Sequence, residues 1–123
     1  AHYYFREFWF ADTGMLAAMH VLAALGGQSR PLSALGAEYE RYAASGEINS
    51  TVDDVAAKVA AVRAAYPEAR FDELDGLTAE LPDGAWFNLR ASNTEPLLRL
   101  NVEAPKPERM AALRDEVLAI IRT

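Results

Sequence analysis

Residues 87–90 read Phe-Asn-Leu-Arg and residues 98–102 read Leu-Arg-Leu-Asn-Val, so apolar and polar side chains alternate on both sides of one polar turn, Ser92-Asn93-Thr94-Glu95-Pro96. In an extended chain, neighbouring side chains face opposite sides. Phe87 and Leu89 therefore share one face, as do Leu98, Leu100 and Val102, while Arg90 and Arg99 fall on the other. A hairpin centred between Thr94 and Glu95 sets the two arginines directly opposite each other. A slip of two residues keeps them on the same face but further apart. A sheet with one apolar face needs a layer to cover that face, and the flanking sequence supplies candidates.

After residue 46 the pattern predicts a strand, a helix, four strands and a helix. "EINSTV" is a short strand candidate. Asp53 starts a helix with Val55, Val59, Val62 and Tyr66 on one stripe, and Pro67 ends it. "ARFDELDG", "LTAEL" and "AWFNLR" read as strands separated by the turn-formers Asp75-Gly76 and Pro82-Asp83-Gly84, and "LLRLNVEA" is a further strand. Pro105 and Pro107 open the last helix, with Met110, Leu113, Val117 and Ile121 on its inner side. Strands grouped in this way, rather than alternating with helices, predict an α+β layer: an antiparallel sheet with both helices on one face.

The first part of the chain reads differently. Residues 3–10, "YYFREFWF", are aromatic and suit a strand. Asp12 or Thr13 can cap the helix that follows, and Gly26-Gly27 stops it. Between Met15 and Leu25 that helix has almost no polar face, which predicts burial on several sides, with His20 as a core or edge residue. Pro31 suits the first turn of a second helix, in which Leu32, Leu35, Tyr39 and Tyr42 recur at helical spacing. "ASGEIN" reads as a break. Charge shifts there too: residues 1–45 carry three Lys/Arg against four Asp/Glu, and residues 46–123 carry nine against fourteen. The expected boundary lies near Ser45, giving regions 1–45 and 46–123.

The 123 residues allow one ordinary domain, or one small domain plus a piece of another. A net charge of -6 argues against a chain whose main task is to neutralise nucleic-acid phosphates. There is no cysteine, hence no disulfide and no thiolate zinc site. No apolar run approaches the roughly 20 residues of a membrane span. With no secretory signal visible, the expected location is cytoplasmic. The opening "AHYYF", without an initiator Met, suggests a piece of something longer.

Two arginines facing each other destabilise a sheet, so something should compensate. Glu103 lies four residues along the strand from Arg99, about 13 Å away. Glu95 is nearer. A bound anion is the other option. Ser92, Asn93 and Thr94 offer hydroxyl and amide donors, a tight turn can aim successive N–H groups into one concavity, and arginine's planar fork suits phosphate. The bland reading is an ordinary polar loop with solvated arginines. The chain has neither G-x-x-x-x-G-K-[ST] nor G-x-G-x-x-G. Its two histidines, His2 and His20, exclude a His-rich metal site, and no carboxylate spacing singles out an acid/base pair or a calcium loop.

The stretch "RASNTEPLLRLNVEA", residues 90–104, resembles the phosphate-binding loop in the last domain of the α-D-phosphohexomutases, particularly the phosphomannomutase/phosphoglucomutase branch. Phosphoglucosamine mutases of the same superfamily usually carry Gly at the place of Asn93, in the form R-P-S-G-T-E-P. Ala91 and Asn93 thus favour the hexose mutases, with a phosphoglucosamine mutase fragment or a non-catalytic anion-binding or interaction module as alternatives. "AHYYFREFWFADTGMLAAMHVLAAL" is similar to the segment after the sugar-recognition loop, G-E-x-S-x-H, of these enzymes' third domain, with His2 on the final histidine.

The resemblance implies that residues 1–45 are the tail of that sugar-binding α/β domain. It implies that residues 46–123 are the fourth domain, with a TATA-binding-protein-like fold. It implies an isomerase that moves a phosphoryl group between C1 and C6 of mannose or glucose phosphate by way of an enzyme phosphoserine and Mg²⁺. Arg90, Ser92, Asn93 and Thr94, with Arg99 as a second cation, would grip the non-reacting phosphate, or free phosphate. His2 would touch sugar hydroxyls or assist proton transfer. The serine loop and the D-x-D-x-D-R loop that binds Mg²⁺ belong to earlier domains and do not occur here. The resemblance therefore gives this stretch no metal of its own, no membrane or nucleic-acid partner, and no mutase activity without its missing domains.

Overall fold

The computed structural model describes residues 2–123. The chain divides into two compact units between Glu40 and Arg41. This division differs from the expected boundary near Ser45 over residues 41–45, because Ala43–Ala44 form a short strand that hydrogen-bonds to a strand of the second unit.

In the first unit the aromatic stretch is not one strand. It is a tight hairpin of β1 (Tyr4–Phe5) and β2 (Ala11–Asp12), with a 3-10 turn over Arg6–Phe8 between them. Trp9 and Phe10 reverse the chain with φ of 53° and 55°, a region unusual for bulky residues, and aromatic β-propensity yields to that reversal. The helix α1 spans Gly14–Gly26, and the Thr13 hydroxyl caps it by accepting from the Leu16 N–H at 3.2 Å. The expected burial is not found: no residue of α1 is buried, and His20 is exposed, its ring stacked on Phe5 at 5.2 Å. The helix α2 is shorter than the sequence spacing suggests, Leu32–Ala37. The Glu38 and Tyr39 N–H groups close it by donating back to the Leu35 and Gly36 carbonyls, so Tyr39 and Tyr42 lie beyond its end.

The second unit follows the expected order. It contains β3 (Ala43–Ala44), β4 (Ile48–Thr51), α3 (Val55–Ala65), β5 (Arg70–Asp72), β6 (Leu77–Glu80), β7 (Trp86–Ala91), β8 (Leu97–Ala104) and α4 (Pro107–Ile121). It is an α+β layer. All neighbouring strands are antiparallel, in the order β3-β8-β7-β6-β5, with β4 continuing along the same side of β8 as β3. Between β3 and β4 the pairing slips by one residue: Ala44 faces Glu103, but Ile48 faces Leu100. Ser45 still keeps the β3 register, so the extra residue follows it. The Ser45 N–H donates to the Val102 carbonyl, and its hydroxyl accepts from the Val102 N–H, both at 2.9 Å. The extra residue is a bulge in the edge strand.

The alternation decides the layering. Phe87, Leu89, Leu98, Leu100 and Val102 are each at most 1% exposed and pack with Val62 of α3 and Leu113, Val117 and Ile121 of α4. Each such side chain contributes about 1.5–3 kcal/mol on burial. Asp54 caps α3 by accepting from Ala57 at 2.9 Å, and Pro107 stands in the first turn of α4, where a missing N–H costs nothing. The other face of the sheet, with Trp86, Asn88, Arg90, Arg99, Asn101 and Glu103, remains half-exposed.

Candidate functional site

Arg90 is the penultimate residue of β7 and Arg99 the third of β8. The register sets them opposite each other, on the face away from the helices. Their flanking neighbours Leu89, Leu98 and Leu100 are fully buried, so neither arginine can turn inward without a one-residue slip of the strand. The loop over residues 92–96 closes the hairpin. The Ser92 N–H bonds to the Leu97 carbonyl at 2.8 Å, and the Ser92 hydroxyl accepts from the Thr94 N–H at 3.4 Å. Ser92 is half-buried, while Asn93 and Thr94 are exposed.

These residues border one cleft of about 470 Å³. Arg90, Ser92, Asn93, Thr94 and Arg99 all line it, together with Ala91, Asp75 and Gly76. The five residues singled out from the sequence are thus brought together. Two further acidic residues answer the question of like charges. The Arg90 guanidinium donates to Asp75 Oδ2 at 2.9 Å. Arg99 Nε lies 3.9 Å from Glu47 Oε1, within ion-pair range but too far for a hydrogen bond, and this enclosed N–H has no acceptor among the described residues. Each arginine has a carboxylate on its own flank. Glu95, the nearer candidate by sequence, makes no ion pair among the described residues.

Asp75 and Gly76 form the turn between β5 and β6. In sequence they read as turn-formers only. The signal for their position lies in the hairpin register: β6 pairs with β7 so that Leu77 faces Leu89, which carries Gly76 to the level of Arg90. Glu47 owes its place to the bulge after Ser45, which no local motif announces.

His2 pairs with the Asp12 carboxylate, which also accepts from the Tyr3 N–H at 2.8 Å. The His2 hydrogen bond, aided by that backbone donor, holds the Asp12 carboxyl below the usual carboxylate range. His2 itself is exposed. Among the described residues no group of three or more His, Asp or Glu side chains could hold a metal ion, and no helix is long and apolar enough to cross a membrane.

A sequence profile described as the phosphoglucomutase/phosphomannomutase C-terminal domain matches residues 47–120. A phosphomannomutase of Methanocaldococcus jannaschii is 37% identical over 120 residues, covering 98% of this chain and 26% of the relative. A protein of Xanthomonas campestris pv. campestris described as phosphohexose mutases is 48% identical over 107 residues, 84% of this chain and 23% of the relative. The crystal structure of a phosphoglucomutase/phosphomannomutase family protein from Burkholderia thailandensis superposes with a TM-score of 0.69 at 25% identity, covering 99% of this chain and 27% of that one. The chain thus spans about a quarter of the length of these proteins.

Proposed function

This chain belongs to the phosphoglucomutase/phosphomannomutase family, and from that premise we propose that its cleft holds the phosphate of a phosphohexose. The observation that carries the reading is the direct opposition of Arg90 and Arg99 at the rim of one concavity with Ser92, Asn93 and Thr94. Two planar guanidinium groups and a cluster of hydroxyl and amide donors match a tetrahedral dianion in charge and in donor count.

In the complete enzyme the reaction is the transfer of a phosphoryl group between C1 and C6 of mannose or glucose phosphate. The hexose phosphate carries one phosphate that reacts and one that does not. Gripping the second one fixes the distance and direction of the first, so remote binding contributes to rate as well as affinity. Arg90, Ser92, Asn93 and Thr94 are the direct holders, and Arg99 sets the local potential beside them. The phosphorylated serine and the Mg²⁺ that neutralises charge on the transferred group would belong to parts of the enzyme outside these residues. Residues 1–45 would be the tail of the sugar-binding domain and residues 46–123 the final domain. His2, on its carboxylate partner Asp12, would meet sugar hydroxyls or a proton in transit.

Thermal melts test the reading. Inorganic phosphate or mannose 6-phosphate binds only the folded form and should raise the melting temperature by mass action. The affinity should be weak, about millimolar, since one loop substitutes for a closed cleft. Arg90→Met should abolish the rise. A wild-type melt that ignores phosphate at high concentration and low ionic strength would remove the anion site.

A further inference from the structure

We infer that Asp75 is a built-in stand-in for phosphate: its carboxylate holds Arg90 while the cleft is empty and yields the guanidinium when phosphate enters. The inference rests on the phosphate reading above and deepens it.

The placement of this carboxylate is heavily determined. Gly76 has φ of +76°, and a Cβ there would lie 2.7 Å from the Leu89 carbonyl oxygen and 3.0 Å from Arg90 Cα. Only glycine lets the turn sit this close to β7. Asn88 fastens the turn from the other side, donating from its amide to the Asp75 carbonyl at 2.8 Å and to the Thr78 hydroxyl at 3.0 Å. With its backbone fixed, Asp75 has its carboxylate against Arg90 on the wall of the cleft. Stability alone does not account for the pair. Its side chains are 43% and 72% exposed, and ion pairs that open to water add little.

For an anion site the same pair has two consequences. It keeps Arg90 in one orientation before the ligand arrives, which reduces the ordering cost of binding. It also places a negative charge beside the incoming dianion, which lowers affinity. Phosphate can accept both prongs of the guanidinium, whereas Asp75 takes a single hydrogen bond, so the exchange favours phosphate once it is present. Asp75 is therefore a positioning residue that tunes how tightly the site closes on its anion and how readily it lets go.

The test is Asp75→Asn, which keeps the side-chain shape and an acceptor oxygen but removes the charge. Inorganic phosphate is titrated into the wild-type chain and the variant by calorimetry, and the Arg90 guanidinium signals, including the Nη–H that donates to Asp75, are followed by NMR. The variant should bind phosphate about three- to fivefold more tightly, the scale of one exposed ion pair. In the wild type the Arg90 signal should move as phosphate replaces the carboxylate. Wild-type binding with equal or weaker binding by the variant overturns the stand-in role and leaves the phosphate site intact. A wild-type Arg90 signal unmoved at saturation does the same. If neither protein binds phosphate, both the inference and the reading beneath it fall.

Discussion

The helix α1 is the most continuously apolar segment of the chain, yet none of its residues is buried; Met15, Met19 and Leu22 are all more than half exposed. In residues 41–123 the strands β7 and β8 alternate apolar and polar over Phe87–Arg90 and Leu98–Glu103, and the apolar positions of those stretches are closed to solvent. The difference is one of periodicity, not of hydrophobic content. An alternating strand has a defined inner face, so one layer of helices completes it. A helix that is apolar all round needs neighbours on several sides, and the other elements of the 1–40 unit are a hairpin of two-residue strands with its 3-10 turn and a short helix.

The largest expected effect comes from cutting into each region in turn. Phe87→Ala removes a ring with no exposed surface that packs on Tyr66 at 5.2 Å, and should cost about 3–5 kcal/mol. That is a large part of a typical domain stability of about 5–15 kcal/mol. Leu22→Ala, at 59% exposure, should change stability by no more than about 0.5 kcal/mol. Denaturant unfolding measures both. Amide exchange should agree, with residues 14–26 exchanging faster than residues 107–121. Equal costs, or equal protection, would mean that α1 has a covered face after all, and the contrast would fail.

A smaller effect, confined to the cored region, comes from alkaline pH. Burial, reinforced by the negative charge of Glu116, pushes the Tyr66 hydroxyl up to about 12. The folded form thus resists ionisation that the unfolded chain undergoes near pH 10. A group raised in this way lends stability that is fully present below the unfolded value and is lost as pH climbs through the folded one. Wild type should lose stability between about pH 10 and pH 12, and Tyr66→Phe should lose less over the same interval. Parallel pH profiles for the two proteins would show that the phenol is not held neutral by its surroundings.

The same contrast explains what could be read before the structure was known. The faces of β7 and β8 follow from alternation around a turn, which is local information, and the α+β order follows from strands grouped rather than interleaved with helices; the phosphate role of the five cleft residues came only from the family resemblance. Asp75 and Glu47 were missed because their places depend on register elsewhere: on the β6–β7 pairing and on the one-residue bulge after Ser45. In the first region, aromatic propensity suggested a strand across Trp9 and Phe10, where the backbone instead takes left-handed turns, and helical spacing carried α2 past its actual end at Ala37. Where no core enforces the pattern, periodicity is a weak guide.

The smallest effects concern the arginines themselves, in the absence of phosphate. Both stand on strands that the core holds rigid, yet neither is expected to support that core. Arg99 has an enclosed Nε–H with no acceptor among the described residues, a state that costs about 1–3 kcal/mol when a donor is fully removed from water, and less here because the side chain keeps 31% exposure. Arg99→Met removes that donor and one of two opposed charges but gives up the loose ion pair with Glu47, and should leave stability unchanged or raise it by up to about 1 kcal/mol. Arg90→Met relieves the same repulsion but gives up the bond to Asp75. Two terms of similar size and opposite sign should leave the melting temperature almost unchanged, within about 0.5 kcal/mol of stability. Melts of the three proteins without phosphate decide the matter. A loss of about 2 kcal/mol or more on replacing Arg90 would make the arginine a strut of the fold. A near-zero change, together with loss of the phosphate response, is the pattern of a residue kept for its ligand.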